Sequence, residues 1–279
     1  LLSQKTGRPV KMVMTRDEVF KASGPTVASM TDVKIGMTKD GRITAGYAHI
    51  RYEGGAWPSD TIYPGAQCAF ASYDLEAVKS QGVNFLTNRP LQAAYRAPGS
   101  PQSTYAVESV VDELCQILGL DPIDARLKNA AKKGTKSSYG PTYDEIGLIP
   151  LLEAAKAHPH YSAPLGPNQG RGISNGFWFN FGGETAVSLA IDFDGSVTLV
   201  EGNPDIGGSR AAMSMMAAEE LGIPYEKVRT IVADTASLGH NEVTHGSRVT
   251  FAVGLATIKA ARAAKVEMCR RAAMVWGIP

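Results

Sequence analysis

Residues 30–52, MTDVKIGMTKDGRITAGYAHIRY, contain two strand-like stretches separated by a tight turn. Apolar and polar side chains alternate in Met30 to Thr38 and again in Ile43 to Tyr52, as in half-buried strands. Between them, Lys39-Asp40-Gly41-Arg42 contains the Asp-Gly pair that is typical of β-hairpin turns. This stretch therefore predicts an antiparallel β-ribbon.

On either side of the ribbon, the chain changes between strand-like and helix-like patterns. Val10 to Thr15 and Ala77 to Phe85 alternate as strands do, whereas Glu53 to Tyr73 is a loop rich in Gly, Pro and Tyr. From Ser103 to Gly119 the apolar period becomes 3.6, which predicts a helix that ends at the glycine. Its predicted apolar face consists of Val107, Val110, Val111, Leu114, Ile117 and Leu118. Asp121-Pro122 starts the next helix, because proline suits the first helical position.

Residues 131–147 are polar and rich in turn formers, which makes them the clearest boundary in the chain. The sequence thus predicts an α+β fold in two mixed sheet-and-helix units, 1–130 and 148–279, joined by a linker at 131–147. Asp194-Gly195 predicts a second hairpin. The second unit is predicted to contain helices at Leu148 to Ala157, Ala211 to Leu221 and from Phe251 onward, and strands at Glu184 to Phe193, Ser196 to Glu201 and Val228 to Ala233.

Composition excludes several classes of protein. The 279 residues include 28 Lys+Arg and 27 Asp+Glu, so the net charge of +1 gives no electrostatic footprint for nucleic acid or an anionic membrane. Cys68, Cys115 and Cys269 are far apart, which argues against a disulfide framework, a zinc cluster or an iron–sulfur site in this chain. Without an apolar run of about 18 residues or a signal-peptide pattern, a cytoplasmic protein is expected.

Three short segments share one layout: an extended piece, a tight turn made of Gly and Ser, and then the first turn of a helix. At such a place, free backbone N–H groups and the positive end of the helix dipole face the same point, and glycine lets a ligand come close. The layout predicts anion binding. The segments are Tyr95-Arg96-Ala97-Pro98-Gly99-Ser100-Pro101-Gln102, Asp205-Ile206-Gly207-Gly208-Ser209-Arg210 and Thr244-His245-Gly246-Ser247-Arg248.

A plainer interpretation is open for each of these turns. A single Gly-Ser turn before a helix is more often an ordinary N-cap than a ligand site, because serine is strongly favoured at caps. The repetition favours binding, since Arg96, Arg210 and Arg248 each adjoin a turn where a guanidinium fork would complete a phosphate or oxyanion site. The turns by themselves do not identify a reaction.

Histidines and aromatic residues give weaker signals. His158-Pro159-His160, even with His240 and His245, lacks the spacing of a zinc site, so no direct metal ligand is predicted in this chain. Residues 177–181, FWFNF, are either core or a bent, glycine-flanked stretch whose rings wall a flat pocket. Walker A and Gly-x-Gly-x-x-Gly motifs do not occur, so P-loop and Rossmann functions have no support.

At these residues the sequence resembles the molybdenum-binding subunit of the xanthine dehydrogenase and aldehyde oxidase family of molybdenum hydroxylases. The resemblance covers essentially all 279 residues in order, and several motifs in series make it specific. The motifs of the first half are Lys5 to Val10, Arg16 to Glu18, Ala94 to Gln102, Glu108 and Arg126 to Asn129. Those of the second half are Arg171-Gly172, Asp194 to Val197, Ile206 to Ser209, Ala233 to Thr235 and Thr244 to Gly254.

The resemblance implies a hydroxylase that uses molybdenum bound to molybdopterin, in bacteria often in its cytosine dinucleotide form. Its substrate would be an N-heteroaromatic compound or an aldehyde, and water would supply the oxygen. Electrons would leave through [2Fe–2S] clusters to FAD, which implies an iron–sulfur subunit and an FAD subunit as partners, together with the remaining parts of the molybdenum-binding subunit.

The resemblance also implies roles for individual residues. The family's cofactor-binding positions match Arg96, Ala97, Gly207, Gly208, Ser209, Arg210, Gly246, Ser247 and Arg248. Substrate-binding positions match Pro98, Phe177 and Trp178. No catalytic residue is assigned, because the family's glutamate general base is expected beyond Pro279. The two ends both read as interrupted elements, which predicts the middle of a longer polypeptide or a split subunit.

Departures from the family pattern argue against xanthine as the substrate. Pro98 stands where the family usually has Phe or another residue, Gly208 stands where Gln is usual, and the arginine of purine-oxidising members is replaced near Pro64. Two other functions stay open: a non-catalytic assembly subunit that keeps the fold without cofactor chemistry, and a stand-alone phosphate or nucleotide binder.

Overall fold

The computed structural model describes residues 1–232 and 236–278, which divide into two compact units between Trp178 and Phe179. Residues Ala233 to Thr235, which include the last position of a predicted strand and one family motif, lie outside the described residues, as does Pro279. Within the described ranges, no helix combines the length and apolar character that crossing a membrane requires.

The first unit contains a three-stranded sheet whose central strand is the second half of the predicted ribbon. Its strands are β1 (Ser29–Met37), β2 (Ile43–Gly55) and β3 (Ala77–Leu86), with β2 antiparallel to β1 and parallel to β3. The ribbon prediction is confirmed. The hairpin forms because Gly41 adopts a left-handed φ of 86°, which costs glycine little.

Seven helices accompany this sheet in the described residues. They are α1 (Leu2–Thr6), α2 (Arg16–Ala22), α3 (Ile62–Cys68), α4 (Ser100–Leu118), α5 (Pro122–Asn129), α6 (Leu148–Ala157) and α7 (Pro159–Ser162). Helices α4, α5 and α6 confirm the predictions. The main core of the unit lies between α4 and the sheet, and its members include Ala48, Ile50, Tyr52, Phe70, Val107 and Val111.

Two predictions in the first unit are wrong. Val10 to Thr15 forms no strand; instead Thr15 begins α2 through a capping box, in which its N–H donates to Glu18 Oε2 at 2.7 Å and its Oγ1 accepts from the Glu18 N–H at 3.2 Å. The supposed loop from Glu53 to Tyr73 contains α3, which packs so closely on Tyr52 that a Cβ on Gly65 would lie 2.8 Å from its ring.

The buried face of α4 also differs from the predicted one. Ile117, assigned to the apolar face, is 77% exposed, whereas Ser103 and Glu108 are buried with Val107 and Val111. Ser103 and Glu108 are buried because other segments of the chain pack against their side of the helix, which the apolar period cannot reveal. Residues 131–147, predicted to link the units, lie against the first unit, where Ala131 N–H donates to Ser72 O at 3.0 Å.

The second unit repeats the strand arrangement of the first. Its strands are β4 (Val187–Ile191), β5 (Val197–Glu201) and β6 (Val228–Val232), with β5 antiparallel to β4 and parallel to β6. Helix α8 (Ser209–Leu221) connects β5 to β6, and a π-helical turn (Val249–Val253) leads into α9 (Gly254–Trp276). The core of this unit includes Val197, Leu199, Met213, Ala217 and Val253. The predicted hairpin, α8 and the α+β class are confirmed.

Candidate cofactor-binding turns

The first predicted turn has strained backbone immediately before α4. Ala97 adopts a φ of 53° and Gly99 a φ of 84°. A left-handed alanine costs about 1–2 kcal/mol, and Ala97, Asn168 and Ser247 are the non-glycine residues of the described chain with positive φ. Gly99 cannot carry a side chain, because a Cβ would lie 2.1 Å from Thr61 O. Such strain is typical of functional sites, where the surrounding structure maintains it.

Helix α4 begins without a side-chain cap, so its first N–H groups are not satisfied by a neighbouring side chain. Arg96 is exposed, and no ion pair joins it to another described residue. The predicted positive charge is present, but few amides are free at this helix start, because Ser100 N–H donates to Ala97 O at 3.0 Å, Ser103 N–H donates to Gly99 O at 3.4 Å, and Pro101 has no N–H. Anion binding by this turn stays a prediction. Pro98 is half-buried beside it.

The second turn is the most open of the three. Gly207 and Gly208 have φ values of 61° and 86°, and no atom lies within 4 Å of where a Cβ would stand on either glycine. Helix α8 follows at once, again without a side-chain cap at Gly208. Two left-handed glycines with free space in front of them let a ligand approach the backbone closely.

Both polar side chains that follow these glycines are committed within the turn. The Arg210 guanidinium pairs with the Asp205 carboxylate at 3.3 Å, and the Arg210 N–H donates to Asp205 Oδ1 at 3.1 Å. Ser209 is buried, and its Oγ accepts the Ile206 N–H at 3.2 Å. The Arg210 guanidinium is therefore partly neutralised by Asp205, and its role at an anion site stays a prediction.

The third turn lies before the π-helical segment and combines left-handed Gly246 (φ 59°) and Ser247 (φ 62°). A Cβ on Gly246 would lie 2.1 Å from Cδ2 of Phe181, so only glycine fits beneath this ring. The Phe181 N–H donates to Gly246 O at 3.1 Å, and its ring lies 5.2 Å from that of His245. π-helical turns are frequent at functional sites.

Arg248 is not an anion-binding fork, which corrects the sequence interpretation. The side chain is fully buried, and its guanidinium donates to Gly182 O at 2.7 Å, Glu242 O at 2.9 Å and Glu184 O at 3.0 Å, and also to the Thr185 hydroxyl. These acceptors use the donors that a phosphate would need. Arg248 instead fixes residues 182–185 and the third turn to each other.

Phe177 lies beside the first turn. Ser100 Oγ, at the start of α4, donates to Phe177 O at 2.9 Å. The Phe177 ring is half-buried and packs against Tyr139 and Tyr143, each at 5.8 Å between centroids. This ring is therefore supported by other rings and is still partly exposed, and its role in a substrate pocket stays a prediction. Trp178 is also half-buried.

A buried ion network positions α4 and α5, and sequence reasoning missed its role. Arg126 is fully buried and donates to Glu108 Oε2 at 2.9 Å and Asp112 Oδ1 at 2.7 Å. Glu108 also accepts the Tyr73 hydroxyl and, at 2.8 Å, the Asn175 N–H. Burial alone would lower the pKa of Arg126, but the Glu108 carboxylate and its other acidic neighbours raise it, so the guanidinium stays charged. Glu108 and Arg126 both lie in the family motifs named in the sequence analysis, and this was the signal in the sequence that pointed to them.

Cavities occur in each unit. A groove of about 430 Å³ runs along α4 and is lined by Thr104, Glu108, Asp112 and residues 172–176. Residues 172–176, GISNG, match the serine-hydrolase pattern Gly-x-Ser-x-Gly, but they lack the strand and helix that such a nucleophile turn requires. In the second unit, a cavity of about 550 Å³ adjoins Gly208 and is lined by Arg210, Tyr225, Arg229 and Thr230, among others.

Fold and turns together define a class: a two-unit α+β protein with turns of left-handed residues directly before α4, α8 and the π-helical segment. Comparison with known proteins gives the family. Residues 1–130 match one molybdopterin cofactor-binding domain and residues 128–279 match a second, so the chain belongs to this family of molybdopterin cofactor-binding proteins.

Relatives of the chain include molybdenum-binding subunits. It is 28% identical to the putative xanthine dehydrogenase molybdenum-binding subunit XdhA of Escherichia coli K12 over 99% of this chain and 39% of the relative. It is 27% identical to the aldehyde oxidoreductase molybdenum-binding subunit PaoC of the same organism over 85% of this chain and 33% of the relative. The chain therefore spans about a third to two fifths of the length of these relatives.

Solved structures share the fold. Quinoline 2-oxidoreductase from Pseudomonas putida 86 matches with a TM-score of 0.81 and 22% identity over 95% of this chain and 38% of that one. Aldehyde oxidoreductase from Desulfovibrio gigas matches with a TM-score of 0.77 and 23% identity over 94% and 31% of the two chains. The predicted family resemblance is confirmed.

Proposed function

We propose that this chain is the cofactor-holding section of a molybdenum hydroxylase that oxidises an N-heteroaromatic compound or an aldehyde with oxygen from water. The family supports molybdopterin binding. Relatives and structural neighbours carry the names xanthine dehydrogenase, aldehyde oxidoreductase and quinoline 2-oxidoreductase, which fit both substrate classes.

The observation that carries the proposal is the open pair of left-handed glycines at the start of α8. Gly207 and Gly208 have space in front of them, whereas the first N–H groups of the helix are already used, since Ser209 N–H donates to Ile206 O at 3.3 Å and Arg210 N–H donates to Asp205 Oδ1 at 3.1 Å. Molybdopterin presents phosphate oxygens, which the backbone N–H groups of a turn with left-handed glycines bind well. The residues present therefore fit the cofactor.

Backbone groups and side chains would have different roles at the cofactor site. The backbones of Arg96, Ala97, Gly207, Gly208, Gly246 and Ser247 would contact the cofactor. Ser209, Arg210 and Arg248 would instead hold the second and third turns in shape, through the contacts described above. When bound, the molybdenum cofactor supplies the two-electron oxidation of the substrate carbon.

On the substrate side, Pro98 and the half-exposed ring of Phe177 would orient a planar substrate, with Trp178 as their neighbour. Tyr139 and Tyr143 keep the Phe177 ring in place. The general base is proposed to lie outside this chain. We also propose the cytosine dinucleotide form of the cofactor, [2Fe–2S] and FAD on partner subunits, and a cytoplasmic heteromeric complex.

The test compares Gly208→Trp with Gly222→Trp in the intact complex. Both glycines are left-handed and lie at opposite ends of α8. A Cβ added to either glycine would have no atom within 4 Å. The same indole therefore meets similar backbone strain at both sites, but only at position 208 would it block the cofactor. Molybdenum per chain, measured by mass spectrometry, should fall at least tenfold in Gly208→Trp and stay near wild type in Gly222→Trp.

Unchanged molybdenum content and activity in Gly208→Trp would contradict the proposal. That result would favour the non-catalytic assembly subunit instead. Binding of inorganic phosphate by the protein free of molybdenum and partners would favour the stand-alone phosphate binder.

A further inference from the structure

Ser100 hydrogen-bonds both to the first turn and to Phe177. It is the first residue of α4 and is 4% exposed. Its N–H donates to Ala97 O at 3.0 Å, and its Oγ donates to Phe177 O at 2.9 Å. The first bond closes the strained turn before α4, whereas the second reaches a residue 77 positions further along the chain. Ser100 therefore joins the left-handed Ala97 directly to the backbone of Phe177.

The shorter contact of the Ser100 hydroxyl is the one with Phe177 O. Thr104 Oγ1 lies at 3.5 Å, which is at the limit for a hydrogen bond between hydroxyl groups. Burial raises the pKa of the neighbouring Cys68 thiol to about 11, against the smaller opposing effect of a hydrogen bond with Ser100. At neutral pH this neighbour is therefore a thiol, and no thiolate attracts the hydroxyl hydrogen away from Phe177 O.

A second contact attaches the same segment to α4. Asn175 N–H donates to Glu108 Oε2 at 2.8 Å, about two helical turns after Ser100. Glu108 is itself fixed by Arg126, whose Nε donates to the same oxygen at 2.9 Å. Residues 171–178 form neither helix nor strand, so contacts with α4 determine where their backbone lies. The segment is thus tied to a long helix at residues 175 and 177.

The Phe177 ring has supports of its own. It packs against the rings of Tyr139 and Tyr143, each at 5.8 Å between centroids. Tyr143 is held in turn, because its hydroxyl donates to Ala71 O at 2.8 Å. The tyrosines support the ring, whereas the Ser100 bond fixes the Phe177 backbone relative to the first turn.

We propose that Ser100 is a positioning residue that sets the Phe177 ring relative to the first turn and thereby favours planar substrates. This inference rests on the proposed function, in which Phe177 would orient a planar substrate and the backbone of Ala97 would contact the cofactor. Without the Ser100 hydroxyl, Phe177 O loses its donor and the ring is no longer fixed relative to Ala97. A flat substrate that packs on the ring depends on that placement, and a puckered one does not.

The test measures how tightly the intact complex binds flat and puckered probes. Quinoline and benzaldehyde are planar, and cyclohexanecarbaldehyde has a puckered ring of the same size as that of benzaldehyde. Binding is measured by calorimetry in the complex reduced with dithionite, where no turnover occurs. Ser100→Ala should weaken binding of both planar probes about fivefold, as the loss of one ordinary hydrogen bond does, and that of the puckered probe by less than about twofold.

The matched control is Ser103→Ala, which removes another buried hydroxyl from α4. Ser103 is 0% exposed, and its hydroxyl donates to Gly99 O at 3.4 Å and to Ser100 O at 3.2 Å. This variant should bind all three probes as wild type does. In steady-state kinetics of Ser100→Ala, the KM for a planar substrate should rise by the same factor of about five while kcat changes by less than about twofold.

Two further measurements distinguish positioning from a merely structural role. Phe177→Leu removes the ring, so adding Ser100→Ala to that variant should not weaken quinoline binding further. Hydrogen exchange of the amides of residues 173–178, followed in protein free of molybdenum, should be about tenfold faster in Ser100→Ala than in wild type and in Ser103→Ala.

Several results would overturn the role of Ser100. They are equal affinity for the planar probes in wild type and Ser100→Ala, an equal loss for the puckered probe, additive effects of Ser100→Ala and Phe177→Leu, unchanged exchange at residues 173–178, and no saturable binding of planar probes by wild type. Molybdenum content per chain tests the proposed function separately. Wild-type complex that contains molybdenum, with Ser100→Ala that binds the planar probes equally well, would contradict only this inference, whereas wild-type complex without molybdenum would contradict the proposed function.

Discussion

Replacing Arg126 by methionine tests whether the buried ion network holds the first unit together. Arg126 is 0% exposed and lies against Glu108, whose side chain is 5% exposed. Methionine keeps much of the volume and removes the charge. Glu108 would then keep only the Tyr73 hydroxyl and the Asn175 N–H as donors.

The size of the effect follows from burial. Removing one partner of a buried ion pair costs about 3–5 kcal/mol, because the other charge stays in the interior uncompensated. Asp112 is 38% exposed, so water screens its contact with Arg126, and losing it adds no more than about 1 kcal/mol. We therefore expect Arg126→Met to lower the free energy of unfolding of the first unit by about 3–5 kcal/mol.

Urea unfolding followed by circular dichroism measures this change, with Arg270→Met as the control. Arg270 pairs with Glu267 on the exposed surface of α9, where side-chain exposures are 58% and 44%, so its loss should change stability by less than about 1 kcal/mol. In a double-mutant cycle with Glu108→Gln, the double variant should lose about 1–3 kcal/mol less than the sum of the single variants. A cost below about 1 kcal/mol for Arg126→Met, or strict additivity, would refute the reasoning.

Two further predictions concern the second unit. Gly246→Ala should destabilise it by about 2–4 kcal/mol, because the new Cβ would lie 2.1 Å from the Phe181 ring and the backbone is left-handed. The control is Gly277→Ala, where the backbone is also left-handed but the space is open, and it should cost only about 1 kcal/mol. Thermal unfolding measures both variants, and equal losses of stability would contradict the role of the Phe181 ring. Burial raises the pKa of Glu201 above 4.5, so its contribution favours the fold below that pH and is lost as the pH rises through the folded pKa. Glu201→Gln should therefore remove this loss, and a wild type whose stability relative to the variant does not fall with rising pH would show that the group is not buried as described.

Local elements were predictable because their signals lie within a few residues. The Asp-Gly turns at 40–41 and 194–195 identify both hairpins, and Gly119 ends α4 where the apolar period stops. The capping box of Thr15 and Glu18 is equally local, but the alternation of Val10 to Thr15 before it is also compatible with a strand. Helix and strand patterns are ambiguous in such short runs.

The three turns lie where the sequence predicts them, but the sequence did not predict the partners of their side chains. The glycine-serine turns predict that a helix begins directly after each of them, and α4 and α8 do begin there, at Ser100 and Ser209, with a left-handed glycine before each. Whether an adjacent arginine is free depends on residues far along the chain. Arg248 donates to Gly182 O, 66 residues away, and lies fully buried among backbone carbonyl groups, so it does not face a ligand.

By itself, the sequence determined the α+β class, both hairpins, the main helices and the family, because these depend on spacings of two to four residues and on motifs in fixed order. Only the tertiary structure decided which polar groups have hydrogen-bond or ion-pair partners and which do not. It buried Arg248 among carbonyl groups, joined Glu108 to Arg126, placed Phe177 beside Ser100 across 77 residues and left Glu201 without a counter-charge among the described residues. The physical reason is that the state of a polar side chain depends on the burial and the partners that distant segments provide, and no local pattern encodes these.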